Sequence, residues 1–458
     1  MSSLARTLGE FAAGFPAHEL PPLALERARM SLASTLASAS AGYAIDSTRI
    51  VRGVETAAGG RPEAGVWFDN VRLPADRAAR VNAVASDAAA SDDSDMRSIA
   101  HIGTIAGAVG LAIGERLAAP GRDILAAMVL GYEIAGRVDE ALTPGRMQRG
   151  FHGSVATIFG GTVTAARLLQ LDAERMTQAI VLAATSAGGL AIAADTSCAR
   201  EYHAGLAALL GTQAALAAQA GFAGEPALLE APRGFFAAFN GQAVADVSGG
   251  LGEDWDIVTD MAIKLMPGAH PFHAIAEAAI TAAIDGDVRP EQVRRIVIRA
   301  PQLDTWRKQA VQPHDLVGAA HSVPYFVAAA VADRRFDWEH FTAQKMRDPA
   351  IAALIARVEF ERDPPPLPDR FPHRHGGTVF IERTDGSMVE ATCKAPRGSG
   401  ARGIDWADVD AKYRRLAPTA GMAPAAVEQS LALLHDFENL PSPAPLIELL
   451  RRDGATRA

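Results

Sequence analysis

The sequence predicts a mainly α protein: a large all-helical domain with a smaller α+β domain inserted ahead of its last segment. Three observations carry this. Of 458 residues, 49% are hydrophobic but only 6% aromatic; alanine supplies much of the difference, and small contact residues favour closely packed helices over a β-rich core. Helical periodicity dominates the chain up to about residue 262. Strand alternation and a hairpin signal are confined to the stretch that follows.

Each element has a local reason. Leu4 to Ala13 is an amphipathic turn series, and Leu23 to Ala41 a longer helix entered through Leu20-Pro21-Pro22, since proline suits a helix start. Ala75 to Ala90 and Gly103 to Leu117 are alanine-rich helices flanking an acidic cluster, Asp92-Asp93-Ser94-Asp95. Asp123 to Leu142 and Val155 to Leu169 follow. Asp172 reads as a cap for Glu174 to Ala187, and Gly221 ends a helix over His203 to Ala220. Beyond residue 263, Val293 to Arg299 alternates as a strand does. Thr378 to Glu382, Asp385-Gly386 and Met388 to Cys393 read as strand, turn and strand. Phe272 to Ile284 and Val323 to Ala332 are helical, and after Arg397 to Arg402 helical signals return and run to Arg452. The expected division is 1–262 with 400–458 for the helical domain, and 263–399 for the α+β domain.

Charge and cysteine content exclude several functions. A net charge of −9 and a pI near 5.8 give no reason to expect nucleic acid or an anionic membrane as partner. Cys198 and Cys393 stand far apart, as in a reducing compartment without a disulfide scaffold. The N-terminus lacks the pattern of a signal peptide, and no apolar run reaches the ~18–20 residues of a membrane span. The expectation is a soluble, cytoplasmic protein. There is no Walker motif, dinucleotide fingerprint, serine elbow or zinc spacing, so no metal site is expected.

What remains is histidine chemistry. Three segments carry it: the acidic cluster leading to His101, then Gly150-Phe151-His152-Gly153-Ser154, then Lys264 through His270 to His273. Histidine exchanges protons near neutral pH, and Lys and Arg hold carboxylates. His101 and His152 each lie beside glycine and a small hydroxyl residue, Gly103-Thr104 and Gly153-Ser154, which would leave room for a ligand near the backbone.

The order of features resembles the MmgE/PrpD family over nearly the whole chain. The matching motifs are Thr7 to Gly14 with Leu20-Pro21-Pro22, Ala78 to Asn82 running into Asp92-Asp93, Gly150-Phe151-His152, Arg200 to Gly205, Gly221 to Gly224 with Glu230 and Gly234-Phe235, Ser322 to Tyr325, and Asp385-Gly386. The resemblance implies a helical domain with an α+β lid, a homodimer, and a small di- or tricarboxylate substrate handled without metal or organic cofactor. It implies catalytic roles for His101, His152, Lys264, Tyr325 and Asp93, and substrate binding by Ser94, Arg200, His203, His270 and His273. The family's activities share removal of a proton alpha to a carboxylate. A hydro-lyase of the 2-methylcitrate dehydratase type is the first expectation, with epimerase, isomerase or decarboxylase next. A dimeric binding protein without activity is the alternative from another class.

The chain also departs from the family pattern. Asp87 stands where a histidine is usual, Ala90 where an acid is usual, Ser94 in place of threonine, and Arg200 in place of lysine. Arg200 is expected to clamp a substrate carboxylate, which a guanidinium does well and which leaves it no role as a base.

Overall fold

In a computed structural model, residues 2–97, 99–239, 245–300, 312–361 and 375–451 are described. The protein is mainly α with a smaller α+β part, and the chain divides into two compact units: Met1–Ile263 with Asp405–Ala458, and Lys264–Ile404.

The first unit is a stack of helices whose contact faces are alanine and glycine. Pro22–Gly42, Ala75–Ala88, Ile102–Leu117, Gly121–Leu142, Ser154–Leu168 and Ala199–Gln219 form its body. Fourteen residues of Ser154–Leu168 are buried, so this helix is enclosed on all sides, as its uniformly apolar sequence requires. Asp172 caps Ala173–Ser186 by accepting from the Arg175 amide.

The acidic cluster behaves differently from a capping loop. Asp93–Asp95 is a short strand, antiparallel to Met261–Ile263, with Ser94 opposite Ala262. Its polar residues are fully buried. Before it, Ala90 adopts a left-handed conformation (φ 49°) that turns the chain out of Ala75–Ala88 and into the strand.

The second unit holds a four-stranded sheet in the order Val358–Phe360, Val293–Arg299, Gly377–Arg383, Met388–Cys393. The first pair is parallel and the others antiparallel. The hairpin turns through Asp385-Gly386, where Gly386 takes a positive φ of 86° and the Asp385 carboxylate accepts from the Ser387 amide. Helices His273–Asp285 and Val323–Asp333 complete a core of Ile275, Ile296, Phe326, Val379 and Ile381. Arg452, where the helical signal of the sequence ends, lies outside the described residues. No described helix is long and apolar enough to cross a membrane.

Candidate active site

In the first unit the structure brings together His101, His152, Arg200 and His203 with two carboxylates, Asp87 and Asp92. The ring centroids of His101 and His152 are 6.3 Å apart, and those of His152 and His203 5.9 Å. Each side chain is set by a helix end. His101 is the residue before Ile102–Leu117, His152 lies just ahead of Ser154–Leu168, and Asp87 is in the last turn of Ala75–Ala88. Arg200 sits in the first turn of Ala199–Gln219. That helix begins four residues earlier than its sequence pattern suggests, which places Arg200 and His203 on it together.

The two leading histidines are held in different ways. His101 Nδ1 lies 2.5 Å from Asp92 Oδ2 and 3.5 Å from Asp87 Oδ1. Carboxylates accept, so Nδ1 is the donor, and in the neutral ring the lone pair is on Nε2. Asp92 Oδ2 also accepts from Thr104 Oγ1 at 2.9 Å, which contacts Ser86 Oγ at 3.0 Å. For His152 the polarity is reversed: its Nδ1 accepts the Ser154 amide at 3.3 Å. Burial, then the neighbouring charges of His101, Arg146, His203 and Arg200, hold His152 well below the ordinary imidazole range. A neutral ring that accepts at Nδ1 carries its proton on Nε2.

Arg200 is buried at 7% exposure. Its Nε donates to Asp87 Oδ2 at 2.8 Å and its Nη2 to the Asp87 carbonyl at 2.6 Å. The guanidinium expected to clamp a substrate is therefore engaged at two points by a neighbouring residue. Glu201 lies 3.8 Å from Arg200, and burial pushes its carboxyl up to about 7 against the pull of Arg200. His203 Nδ1 is buried and accepts no hydrogen bond from the described residues. Burial lowers the pKa of this ring, and the Asp87 charge opposes the shift.

Asp93 and Ser94 sit away from the histidine cluster's hydrogen bonds. Asp93 Oδ2 accepts from Ser31 Oγ at 2.6 Å, and its other oxygen is buried without a partner among the described residues, as is Ser94 Oγ. Burial raises the Asp93 carboxyl to about 6, despite the Ser31 bond. Gly103 has a use other than admitting a ligand. A Cβ there would fall 1.9 Å from Asp93 Oδ2 and 2.3 Å from Ser31 Oγ, so the glycine makes room for that carboxylate. At Gly189 (φ +134°), a Cβ would fall 2.1 Å from Ser154 Oγ, the hydroxyl that ties the Gly188 carbonyl beside His152.

Lys264, His270, His273 and Tyr325 belong to the second unit. Lys264, His270 and His273 are each 1% exposed. The two histidine rings lie 4.5 Å apart, and His273 stacks on Phe326. Tyr325 is wholly buried, and its hydroxyl donates to the His340 carbonyl. Burial and the charges of Asp333 and Asp348 raise its pKa well above the phenol range. Its proton is therefore given to a backbone carbonyl of its own unit.

Asp87, Asp92 and His101 place donor atoms within 4.8 Å of one another, a spacing that would also suit a metal ion. The donor set does not fit one: Arg200 already donates to Asp87 Oδ2, and Thr104 to Asp92 Oδ2. A buried guanidinium beside a dication would be strongly repelled.

Sequence reasoning gave Asp87 and Asp92 no role. The signal for Asp92 was its place nine residues before His101. The signal for Asp87 was the pair of departures from the family pattern at 87 and 200, which leaves a carboxylate and a guanidinium at these two positions.

Family models and known proteins match the chain along most of its length. The MmgE/PrpD N-terminal domain matches residues 6–247, and the MmgE/PrpD C-terminal domain residues 266–436. Human cis-aconitate decarboxylase is 25% identical over 452 residues, covering 96% of this chain and 92% of that protein. The cis-aconitate decarboxylase of Aspergillus terreus is 25% identical over 405 residues, covering 81% and 80%. The chain belongs to the MmgE/PrpD family and is an enzyme of the lyase type.

Proposed function

We propose that the chain is a hydro-lyase of the 2-methylcitrate dehydratase type, acting on a small di- or tricarboxylate, with His101 as base and His152 as acid. The observation that supports this most directly is the opposite partners of the two Nδ1 atoms, a carboxylate at His101 and a backbone amide at His152; in neutral rings these leave a lone pair on His101 Nε2 and a proton on His152 Nε2. Elimination of water needs both. His101 Nε2 takes the proton alpha to a carboxylate, the electron pair forms the new double bond, and the carbon–oxygen bond breaks. The departing hydroxide leaves as water with the proton from His152 Nε2; the neutral ring that gave it is left as an imidazolate, which regains a proton from the imidazolium formed at His101. Asp92 fixes the base's tautomer and stabilises the imidazolium that forms. No electron carrier is required, because nothing is oxidised or reduced.

Decarboxylation is the second reading, favoured by the names of the relatives above. Loss of carbon dioxide from an unsaturated tricarboxylate leaves an electron pair that a proton donor must quench, and His152 is such a donor. Incubation with 2-methylcitrate, citrate and cis-aconitate in deuterated water, followed by proton NMR, separates the two. Water loss or addition with α-proton exchange supports the first reading, and bicarbonate with a decarboxylated product supports the second. If no acid of the panel exchanges or reacts, both fail.

A further inference from the structure

Arg200 and Asp87 form a chain of contacts that ends on His101. Arg200 Nε and Nη2 grip the side chain and the carbonyl of Asp87, and Asp87 Oδ1 faces His101 Nδ1 at 3.5 Å. Asp87 is 2% exposed and Arg200 7%. A buried carboxylate beside an imidazole is held in place only if its other contacts are strong, and a two-point guanidinium grip on side chain and backbone supplies them. The remaining groups around the ring are Asp92 at Nδ1, His152 beyond it, and Glu201 flanking Arg200. With Asp92 on one side and Asp87 on the other, the Nδ1 edge of His101 is bracketed by two carboxylates.

We propose that Asp87 and Arg200 are a positioning pair for His101: Arg200 locks Asp87, Asp87 and Asp92 together fix the ring through Nδ1, and Arg200 serves the ring rather than the substrate. The kinetic part rests on the reading of His101 as the base; the structural part stands apart from it. The two departures at 87 and 200 are then one coupled change. Restoring the histidine at 87 alone would leave the buried Arg200 without its carboxylate, whereas restoring the lysine at 200 alone would keep the charge and lose the two-point grip.

The test uses the full chain labelled with 15N-histidine, in the absence of any substrate, with ring-nitrogen NMR as the readout and His101→Gln to assign the signal. The wild-type ring should show a single tautomer protonated at Nδ1. The uncharged double variant Asp87→Asn/Arg200→Gln removes both buried charges together and leaves Asp92 alone at Nδ1, and its His101 signal should shift from the wild-type position toward a mixed tautomer population. On the panel acid that turns over fastest, kcat should fall about 10–100-fold, because a misplaced base loses orientation, while KM stays within about twofold. Arg200→Lys keeps the charge but loses the two-point grip, and should move both readouts the same way by less. It also carries the test if the double variant does not fold. An unchanged ring signal overturns the proposal. So does a large rise in KM with kcat intact, which would make Arg200 a substrate clamp. If His101→Gln keeps normal turnover, the assignment of the base fails instead, and the tautomer result still decides whether the pair positions the ring.

Discussion

Asp92 and Asp95 lie three residues apart in one acidic motif, yet their surroundings are opposite. At Asp92 each negative group meets donors: His101 and Thr104 at Asp92, Arg200 at Asp87. At Asp95 the acids outnumber the cation that serves them. Arg97 reaches Asp256, Asp260 and Glu140, and its amide donates to Asp95 Oδ1. Asp256 Oδ2 is buried without a hydrogen bond from the described residues. Burial, then the charge of Asp260, raises the Asp95 carboxyl to about 8. The first end gives each carboxylate a donor of its own. The second stores a proton among carboxylates and ties the strand to the segment around residue 260, where the Met96 amide donates to the Asp260 carbonyl. Adjacent acids in a motif need not share a task; the partners decide.

The largest expected effect tests the first end. His101→Gln and His152→Gln should each depress turnover by ~10²–10⁴-fold, the usual contribution of a general acid or base, with the fold intact by circular dichroism. If either variant keeps near-normal turnover, that histidine is not in the proton path. Asp93, Lys264 and His270 would then be the next groups to test.

The second end should answer in stability instead. Arg97→Met leaves Asp256 and Asp260 without their shared cation, and breaking a buried ion pair from one side costs about 3–5 kcal/mol. Urea unfolding measures it. A loss below about 1 kcal/mol would mean that the carboxylates take up protons in place of Arg97, and that the cluster needs no cation.

Much of the fold was legible because its signals are local. The Asp385-Gly386 turn, the Asp172 cap and the proline entry to Pro22–Gly42 each appear in the structure where their residues stand in the sequence. The Asp93–Asp95 strand was not legible. Three acidic and hydroxyl residues have no strand propensity, and their pairing with Met261–Ile263 is set by contacts made across more than 160 residues of chain. Asp92 lies just ahead of the strand and its carboxylate meets His101, while Asp93 within the strand meets Ser31; the sequence could not tell which of the two adjacent acids reaches the histidine. The helix Asp46–Ala58 was also missed, although Ile50, Val51, Val54, Ala57 and Ala58 recur at helical spacing; only three of its residues are buried.

Asp95→Asn sharpens the contrast through pH. The folded protein holds a proton on Asp95 up to about pH 8, whereas an unfolded Asp releases it near pH 4. Between those values the native state binds more protons, so stability falls as pH rises through the window and levels off on either side. Asn keeps the acceptor for the Arg97 amide and cannot ionise. The variant should therefore melt higher than wild type at pH 8, and the gap should shrink toward pH 4. A variant less stable than wild type at pH 8 would mean that Asp95 is charged in the fold and paired.

The smallest effect concerns Tyr325, where the same lesson applies in the second unit. The sequence nominates its phenol as an acid, and the structure gives its proton to the His340 carbonyl. The ring packs against Phe336, and His340 is itself held by Asp333, 3.0 Å from its Nε2. Tyr325→Phe keeps the packing and removes one buried donor. It should cost about 0.5–1.5 kcal/mol of stability, the net value of one hydrogen bond, plus any cost of leaving the His340 carbonyl unmet. Turnover should change by less than about threefold, since no group that carries the reaction's proton is lost. The reverse pattern, with stability unchanged and turnover down by ~10²-fold or more, would identify the phenol as an acid. His152 would then lose that role, and its neutral ring would be left to orient the substrate through Nε2.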